Sequence, residues 1–222
     1  MKVEFGPMNN MTIDPAKVLI ATPTHSGDIV AECAAGLIQA GGLYGSWFPL
    51  RGCSAINLAR NLIVQQFRES SFEWLVWLDA DIGFTRQDFL YLMEGDQDCV
   101  VAAYAKKDGS GVANKFGLGF ARIHKSVYEK LDGLMVNLPE GGEAPGVNYF
   151  VWGAQMVYDV HPSFADLTHS WLGEDHGFWK LAQRAGVSIR IESRTRLKHF
   201  GRTYFEMQSL YFADEAGSQD AK

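Results

Sequence analysis

Cysteine is scarce in this chain, which holds only Cys33, Cys53 and Cys99 among its 222 residues. No two of them form a CxxC pair, and a chain of this length buries roughly 70% of its unfolded surface, so folding needs neither disulfides nor a structural metal. An odd number of cysteines in apolar segments is typical of a reducing compartment. We therefore expect three buried thiols.

Long apolar runs are also missing. No run of 18 or more apolar residues occurs, and residues 1–10 lack the basic and then apolar profile of a signal peptide. We therefore expect a cytoplasmic protein without a membrane span. Internal repeats, low-complexity tracts and clear linkers are equally absent. Residues 1–222 are predicted to form one domain, with a core over about 17–202 and loose ends.

Basic residues are in the minority, with 20 Lys and Arg against 26 Asp and Glu and a net charge of −6. This balance argues against broad non-specific binding of nucleic acid. The basic residues are nevertheless concentrated near the end of the chain, in a stretch that contains one acid, Glu192. They are Lys180, Arg184, Arg190, Arg194, Arg196, Lys198 and Arg202. This basic stretch is either a solvated face or a site for an anion.

Short β-branched apolar runs alternate with helical patterns in the first half of the chain. Strands are predicted over 17–22, 46–50, 72–78, 99–104 and 119–123, and another over 187–191. Between them the spacing predicts helices, with Asp28, Ser54 and Thr85 as N-caps and Leu58 on the apolar face of the second. This alternation predicts a parallel sheet with helices on its faces and with ligands at the carboxyl ends of the strands.

Two carboxylates, Asp79 and Asp81, follow the apolar strand 72–78 directly. Burying such charges without partners costs several kcal/mol, so we expect something to neutralise them. In an extended segment both side chains point to one side, where they can approach a single cation. All-oxygen coordination suits Mg²⁺ or Mn²⁺. The pair therefore predicts a metal site, although such pairs also occur by chance in turns.

Two further groups carry possible chemistry. Glu174 and Asp175 stand at the start of a predicted helix, where acids serve either as caps or as a general base for an acceptor hydroxyl. His199 follows a strand and has the basic neighbours Lys198 and Arg202. It is either a hydrogen-bonded structural histidine or a third metal ligand, with the neighbouring cations holding a diphosphate.

The order of these motifs resembles that of GT-A glycosyltransferases, of the family-2-like type with nucleotide-sugar donors. The resemblance covers about residues 18–201. In chain order it rests on Ala21-Thr-Pro-Thr24, Ala59-Arg-Asn61, Trp77-Leu-Asp-Ala-Asp81, Gly117-Leu-Gly-Phe-Ala-Arg-Ile123, Gly173-Glu-Asp175 and Lys198-His199. It implies a three-layer α/β/α sandwich with a mainly parallel, Rossmann-like central sheet.

The resemblance also implies roles around the donor. Asp81 and His199 would hold Mn²⁺ or Mg²⁺, and Asp79 would contact the donor ribose or sugar, directly or through the metal. Lys198 would lie at the diphosphate.

The resemblance implies roles for other positions as well. Thr22, Pro23 and Thr24 match positions that receive the nucleotide base. Arg60 would approach the donor, unless it lies on a solvated helix face. Asp175, or else Glu174, matches the acid that deprotonates the acceptor in inverting members.

The function expected from these features is metal-dependent transfer of one sugar from a nucleoside-diphosphate sugar to an acceptor hydroxyl. The acceptor stays open between a glycan, a small molecule and a modified DNA base, and the oligomeric state stays open too. One alternative is a phage-type enzyme that glycosylates a hydroxylated base in DNA, which the basic stretch favours and the net charge disfavours. A second alternative is a nucleotidyltransferase, because that class of enzyme also needs paired Asp residues. Residues 21–27, however, lack the basic residues of a nucleotidyltransferase opening loop. A non-catalytic binding module is a third.

Overall fold

The computed structural model of the protein describes residues 13–104, 117–132 and 173–201, together with the backbone of 204–206. Its strands are β1 (Val18–Thr24), β2 (Ser46–Arg51), β3 (Trp74–Leu78), β4 (Ile82–Gly83), β5 (Cys99–Ala102), β6 (Phe120–His124), β7 (Arg190–Glu192), β8 (Lys198–Phe200) and β9 (Tyr204–Glu206). Its helices are α1 (Ala31–Gln39), α2 (Ile56–Glu69), α3 (Arg86–Met93), α4 (Lys125–Asp132) and α5 (Glu174–Arg184). Strands and helices alternate through the first half, as the sequence predicted.

Within the described residues, six strands form the central sheet, in the order β2-β1-β3-β6-β5-β7. All neighbouring pairs are parallel except those that involve β6, which is antiparallel to both β3 and β5. The expectation that residues 119–123 continue the parallel pattern was wrong. Phe120 pairs with Leu78, so β6 starts at the edge where β3 ends and needs no return across the sheet. The mainly parallel sheet itself is confirmed.

Helices cover both faces of this sheet. Buried side chains of α2, α4 and α5 pack on one face, and those of α1 and α3 pack on the other. Strand β3 serves both cores, because Leu75 and Trp77 join the first cluster while Val76 and Leu78 join the second. All four side chains have no exposed surface. The apolar run therefore marks a central strand covered on both faces, as predicted.

The helix starts agree only in part with the predicted caps. Thr85 caps α3 through a complete capping box with Asp88. The predictions for Asp28 and Ser54 were wrong, since the N-caps of α1 and α2 are Val30 and Ala55 and neither has a side-chain cap. The start of α1 has a tertiary hydrogen bond in place of a side-chain cap, because the Val30 N–H donates to the Ala80 carbonyl at 2.9 Å.

Two smaller predictions also need correction. Leu58 is 36% exposed on α2, so it lies outside the apolar face. Cys33 and Cys99 are buried thiols as expected, but Cys53 is only half-buried. No helix of the described residues is long and apolar enough to cross a membrane. Residues 139–146, a Gly- and Pro-containing stretch whose composition predicts a surface loop, lie outside the described residues.

A second, three-stranded sheet was not anticipated. It has the order β4-β8-β9, and its β4 is only two residues long, too short for any hydrophobic period. Ile82 pairs with His199 and Gly83 with Lys198. This small sheet brings residues near position 199 beside the turn that follows β3. The predicted strand 187–191 appears later, as β7.

Candidate active site

A cavity of about 460 Å³ opens at the carboxyl ends of β1 and β3. We call it the carboxylate cavity, because five of its lining residues are acids. It is lined by Pro23, Asp28, Ile29, Val30, Ile56, Arg60, Asp79, Ala80, Asp81, Glu174 and Asp175. Six of these were predicted as site residues from separate parts of the sequence. The fold therefore assembles residues as far apart in the chain as Pro23 and Asp175.

Arg60 is a buried residue of the cavity lining. Its side chain is 3% exposed, and its Nη2 donates to Asp79 Oδ1 at 3.0 Å while its Nε lies 3.5 Å from Glu174 Oε1. The guanidinium also stacks over the Trp77 ring at 5.1 Å. Burial alone would lower the pKa of Arg60, but the surrounding carboxylates raise it on balance. The alternative of a solvated helix face was therefore wrong, and Arg60 is a buried counter-ion.

Asp79 and Asp81 lie in a turn and not in the extended segment that the sequence suggested. The Ile82 N–H donates to the Asp79 carbonyl at 3.1 Å, which closes the turn. Cys33 lies beneath it, with Sγ 4.0 Å from the Asp79 carbonyl oxygen. Burial, and then the charges of Asp81 and Asp79, raise the pKa of the Cys33 thiol to about 12. The turn still presents both carboxylates to the cavity.

His199 lies beside Asp81. Its Nε2 is 3.7 Å from Asp81 Oδ1, and the Phe200 N–H donates to the Asp81 carbonyl at 2.9 Å. Strand pairing of β4 with β8 holds this arrangement. Among the residues described, no group of three His, Cys, Asp or Glu side chains is arranged to hold a metal. Asp81 and His199 offer one carboxylate oxygen and one imidazole nitrogen, so a divalent cation held there would need water and substrate phosphates to complete its shell.

Glu174 and Asp175 begin α5. The Gly173 N-cap offers no side chain, and Asp175 Oδ1 accepts the His176 N–H at 2.8 Å. Burial and the charge of Asp175 raise the pKa of Glu174, although Arg60 acts in the opposite direction. Glu174 is thus tied to Arg60, whereas Asp175 keeps a more exposed side chain, at 23% against 13%.

Tyr104 is a site residue that the sequence analysis missed. Its Oη accepts the Gly119 N–H at 3.1 Å, and its ring meets that of His199 edge to face at 5.1 Å. Burial, and then the charge of Asp79, raise the pKa of this phenol. The position of Tyr104 in the sequence could have indicated this, because Tyr104 follows β5 at the edge of the sheet where Asp79 follows β3.

Gly119 allows this close packing. A Cβ at Gly119 would lie 2.8 Å from Tyr104 Oη and 2.9 Å from Asp79 Oδ2. The Gly119 carbonyl also accepts the Asp79 N–H at 2.9 Å. A side chain at this position would push apart the residues that the backbone joins.

Four predicted residues do not line the carboxylate cavity: His199, which lies beside Asp81, and Thr22, Thr24 and Lys198. Thr22 is buried and its Oγ1 accepts the Trp47 Nε1–H at 3.0 Å, while Thr24 Oγ1 donates to the Asp28 carbonyl at 2.9 Å. Both hydroxyls thus stabilise the ends of β1, and only Pro23 reaches the cavity. Lys198 lines a different cavity, on the other side of β8 from His199.

Comparison with known proteins concerns the fold. No family model and no curated protein matches the chain. A197 from STIV is similar over 87% of this chain and 95% of its own, at 16% identity and a TM-score of 0.55. The catalytic domain of Drosophila β1,4-galactosyltransferase 7, in complex with xylobiose, is similar over 80% of this chain and 65% of its own, at 15% identity and a TM-score of 0.50.

The chain has a glycosyltransferase-like fold. This confirms the predicted Rossmann-type α/β architecture and agrees with the expected GT-A form. A glycosyltransferase involved in glycosylation of the major capsid of PBCV-1 also matches, at 17% identity over 50% of this chain and 62% of its own. Its TM-score of 0.36 is too low to add to the argument.

Proposed function

We propose that the protein transfers a sugar from a nucleoside-diphosphate sugar to an acceptor hydroxyl. One observation carries the proposal: Arg60, Asp79, Asp81, Glu174 and Asp175 line one cavity at the carboxyl ends of the strands. Nucleotide ligands of open α/β sheets bind at that edge. The resemblance of the motif order to nucleotide-sugar enzymes and the glycosyltransferase-like fold support the same activity.

Asp175 is the proposed general base. Glu174 is paired with the Arg60 guanidinium, whereas the Asp175 carboxylate lines the cavity and its Oδ1 accepts the backbone N–H of His176, whose ring Nδ1 lies 3.6 Å away. A carboxylate so held can take the proton of an attacking hydroxyl. Arg60 holds the Asp79 carboxylate in place at the cavity through the hydrogen bond from its Nη2.

Asp81 and His199 are the proposed ligands of Mn²⁺ or Mg²⁺. Bound with the donor, the cation would supply charge stabilisation for the departing nucleoside diphosphate. Asp79 would act differently, because its Oδ1 already accepts a hydrogen bond from Arg60. We assign Asp79 to the donor ribose or sugar.

The assignment of Asp175 is tested by steady-state assays with a panel of nucleoside-diphosphate sugars and Mn²⁺. Asp175→Asn should lower kcat by about 10²–10⁴-fold, the usual worth of a positioned base, while donor affinity stays near that of the wild type. Asp132→Asn is the matched control, because Asp132 pairs with Arg68 outside the cavity. Equal turnover of Asp175→Asn and wild type would contradict the role of Asp175.

The metal assignment is tested by thermal shift with nucleoside diphosphates. Mn²⁺ and a diphosphate at about 100 times its Kd should stabilise the wild type by ~2.7 kcal/mol. Asp81→Asn should remove this stabilisation and leave the stability of the metal-free protein nearly unchanged. Full stabilisation of Asp81→Asn, or of the wild type in chelator, would contradict a metal at Asp81.

The same assays separate the alternatives. A nucleotidyltransferase would release pyrophosphate from a nucleoside triphosphate, and a binding module would show donor binding without turnover. Transfer to hydroxylated DNA and to no sugar or small-molecule acceptor would favour the phage-type enzyme.

A further inference from the structure

The lining of the carboxylate cavity has two chemically different parts. Arg60 and four of the acids come from α2, the turn after β3 and the start of α5, and the proposed reaction uses them. The other part is aliphatic and comes from the end of β1, the loop that follows it and the starts of α1 and α2. It consists of Pro23, Ile29, Val30 and Ile56. An aliphatic surface offers nothing to a metal, a diphosphate or a sugar hydroxyl, but it suits the flat face of a nucleobase.

Asp28 is the fifth acid of the lining and belongs with the aliphatic part, between Pro23 and Ile29 in the chain. The sequence predicted it as the N-cap of α1, but the N-cap is Val30. Asp28 is exposed at the cavity, and its side chain makes no hydrogen bond or ion pair with the described residues. This part of the fold thus gives the carboxylate no structural partner, and a ligand of the cavity can supply one.

The backbone on either side of Asp28 is held in place. Thr24 Oγ1 accepts the Gly27 N–H at 3.1 Å and donates to the Asp28 carbonyl at 2.9 Å. Two residues later, the Val30 N–H donates to the Ala80 carbonyl in the turn after β3. The loop is therefore tied both to the end of β1 and to that turn. Recognition of a base needs such support, because a specific contact must be positioned within about 0.5 Å.

An ionised carboxylate selects among nucleobases because its two oxygens only accept hydrogen bonds. Guanine presents two adjacent donors on one edge, N1–H and the N2 amino group, which match the two oxygens. Uracil presents a single N–H between two carbonyl oxygens, and adenine and cytosine each present an amino group next to an unprotonated ring nitrogen. Each of these three bases would place a lone pair against the carboxylate and would lose one charge-assisted hydrogen bond.

We propose that Asp28 and the aliphatic part of the lining bind the guanine of the donor, so that the substrate is a guanosine-diphosphate sugar. The charge of the cavity favours the same base. Arg60 is the one basic residue among the described residues that line the cavity, and it already contacts Asp79 and Glu174. Within that lining, no second cation can pair with the carbonyl oxygens of uracil. This inference rests on the proposed function and narrows it to one class of donor.

The test is calorimetric titration of the full chain with GDP, UDP and ADP in the presence of Mn²⁺. Because hydrogen bonds to a charged group are strong, GDP should bind about 10-fold or more tightly than the other two. An affinity for UDP or ADP equal to or above that for GDP would overturn the guanine assignment and leave the proposed transfer reaction standing. Failure of all three nucleotides to bind would overturn both, so the two failures are distinguishable.

Asp28→Asn separates recognition of the base from the effect of charge. Removing a negative charge from the cavity would by itself strengthen the binding of any anionic nucleotide. We expect the opposite for GDP, which should bind about 10-fold or more weakly, and no loss for UDP. Xanthosine diphosphate should gain affinity in this variant, because the new amide N–H can pair with the carbonyl that xanthine carries in place of the guanine amino group. Such a gain would also show that the variant is folded.

Glu32→Gln is the matched control. Glu32 is an exposed acid in the first turn of α1 and does not line the cavity, so this variant loses the same charge and should bind GDP like the wild type. Equal weakening of GDP and UDP by Asp28→Asn would assign Asp28 to the ribose and overturn the proposal. Unchanged affinity of Asp28→Asn for GDP, or equal losses in Asp28→Asn and Glu32→Gln, would overturn it as well.

Discussion

At the scale of single residues, Arg60 determines the charge of the carboxylate cavity. It is almost fully buried and contacts Asp79 and Glu174, which come from different elements. Removing one partner of a buried ion pair leaves an uncompensated charge, which is far more costly than losing a surface pair. The sequence could not distinguish this buried arginine from one on a solvated face, because its burial depends on α5, which lies more than 100 residues away.

Arg60→Met should therefore lower the free energy of unfolding by about 3–5 kcal/mol. The helix offers a matched control: Arg68, also on α2, pairs with Asp132 at the surface. Arg68→Met should cost about 0–1 kcal/mol. Urea denaturation of both variants measures the difference, and equal losses would show that Arg60 is not a buried counter-ion.

Tyr104→Phe removes one oxygen and leaves the Gly119 N–H without its acceptor. An unsatisfied buried donor costs about 1–3 kcal/mol, and we expect a destabilisation of this size. Tyr44→Phe is the control, because its half-buried hydroxyl donates to the Leu37 carbonyl and leaves no buried donor unpaired. Chemical denaturation compares the two, and a neutral Tyr104→Phe would contradict the hydrogen bond to Gly119.

At the scale of elements, Glu192 stabilises the end of β7. The carboxylate is 2% exposed and accepts from Arg190 Nη1 at 2.9 Å and from the N–H, Nε and Nη2 of Arg194. Burial alone would raise its pKa, but the hydrogen bonds and charges of Arg194, with the charge of Arg190, lower it on balance from 4.5. The segment between β7 and β8 is thereby anchored.

This lowered pKa predicts a pH-dependent stability. The unfolded chain binds the proton of Glu192 more readily than the folded one, so the contribution is present above about pH 4.5 and is lost as the pH falls through the lower folded pKa. Glu192→Gln should be less stable than wild type at neutral pH, and the gap should narrow as the pH falls below 4.5 and through the lower pKa of folded Glu192. Glu73→Gln, which alters the exposed pair with Lys17, should show a small gap throughout. A gap independent of pH in denaturation curves would contradict the assignment.

Most of the elements were predictable from local pattern, and the exceptions share a cause. The apolar run of β3 and the capping box of Thr85 are local signals, and both were confirmed. The start of α1 depends on the Ala80 carbonyl, and β4 depends on its pairing with β8, so neither has a local signature. The direction of β6 likewise follows from the edge at which it enters the sheet.

At the scale of the whole molecule, the rule that strand ends share one edge explains why much of the candidate site could be predicted. Asp79, Asp81 and Asp175 were found because a polar group after an apolar strand, or at a helix start, stands out in a sequence. Lys198 was misplaced, because neighbouring residues of one strand face different cavities.

The strand order has a consequence for the rate of folding. Leu78 pairs with Phe120, 42 positions later, and Val100 pairs with Arg190, 90 positions later. Pairings between distant segments form slowly, because the loop-closure entropy is lost before the contacts stabilise the chain. The carboxylate cavity needs β3 and α5 together, so it can exist only after such distant segments have met. A nucleotide ligand of that cavity should therefore slow unfolding of the native protein far more than it speeds refolding, and stopped-flow kinetics with and without the ligand would measure both.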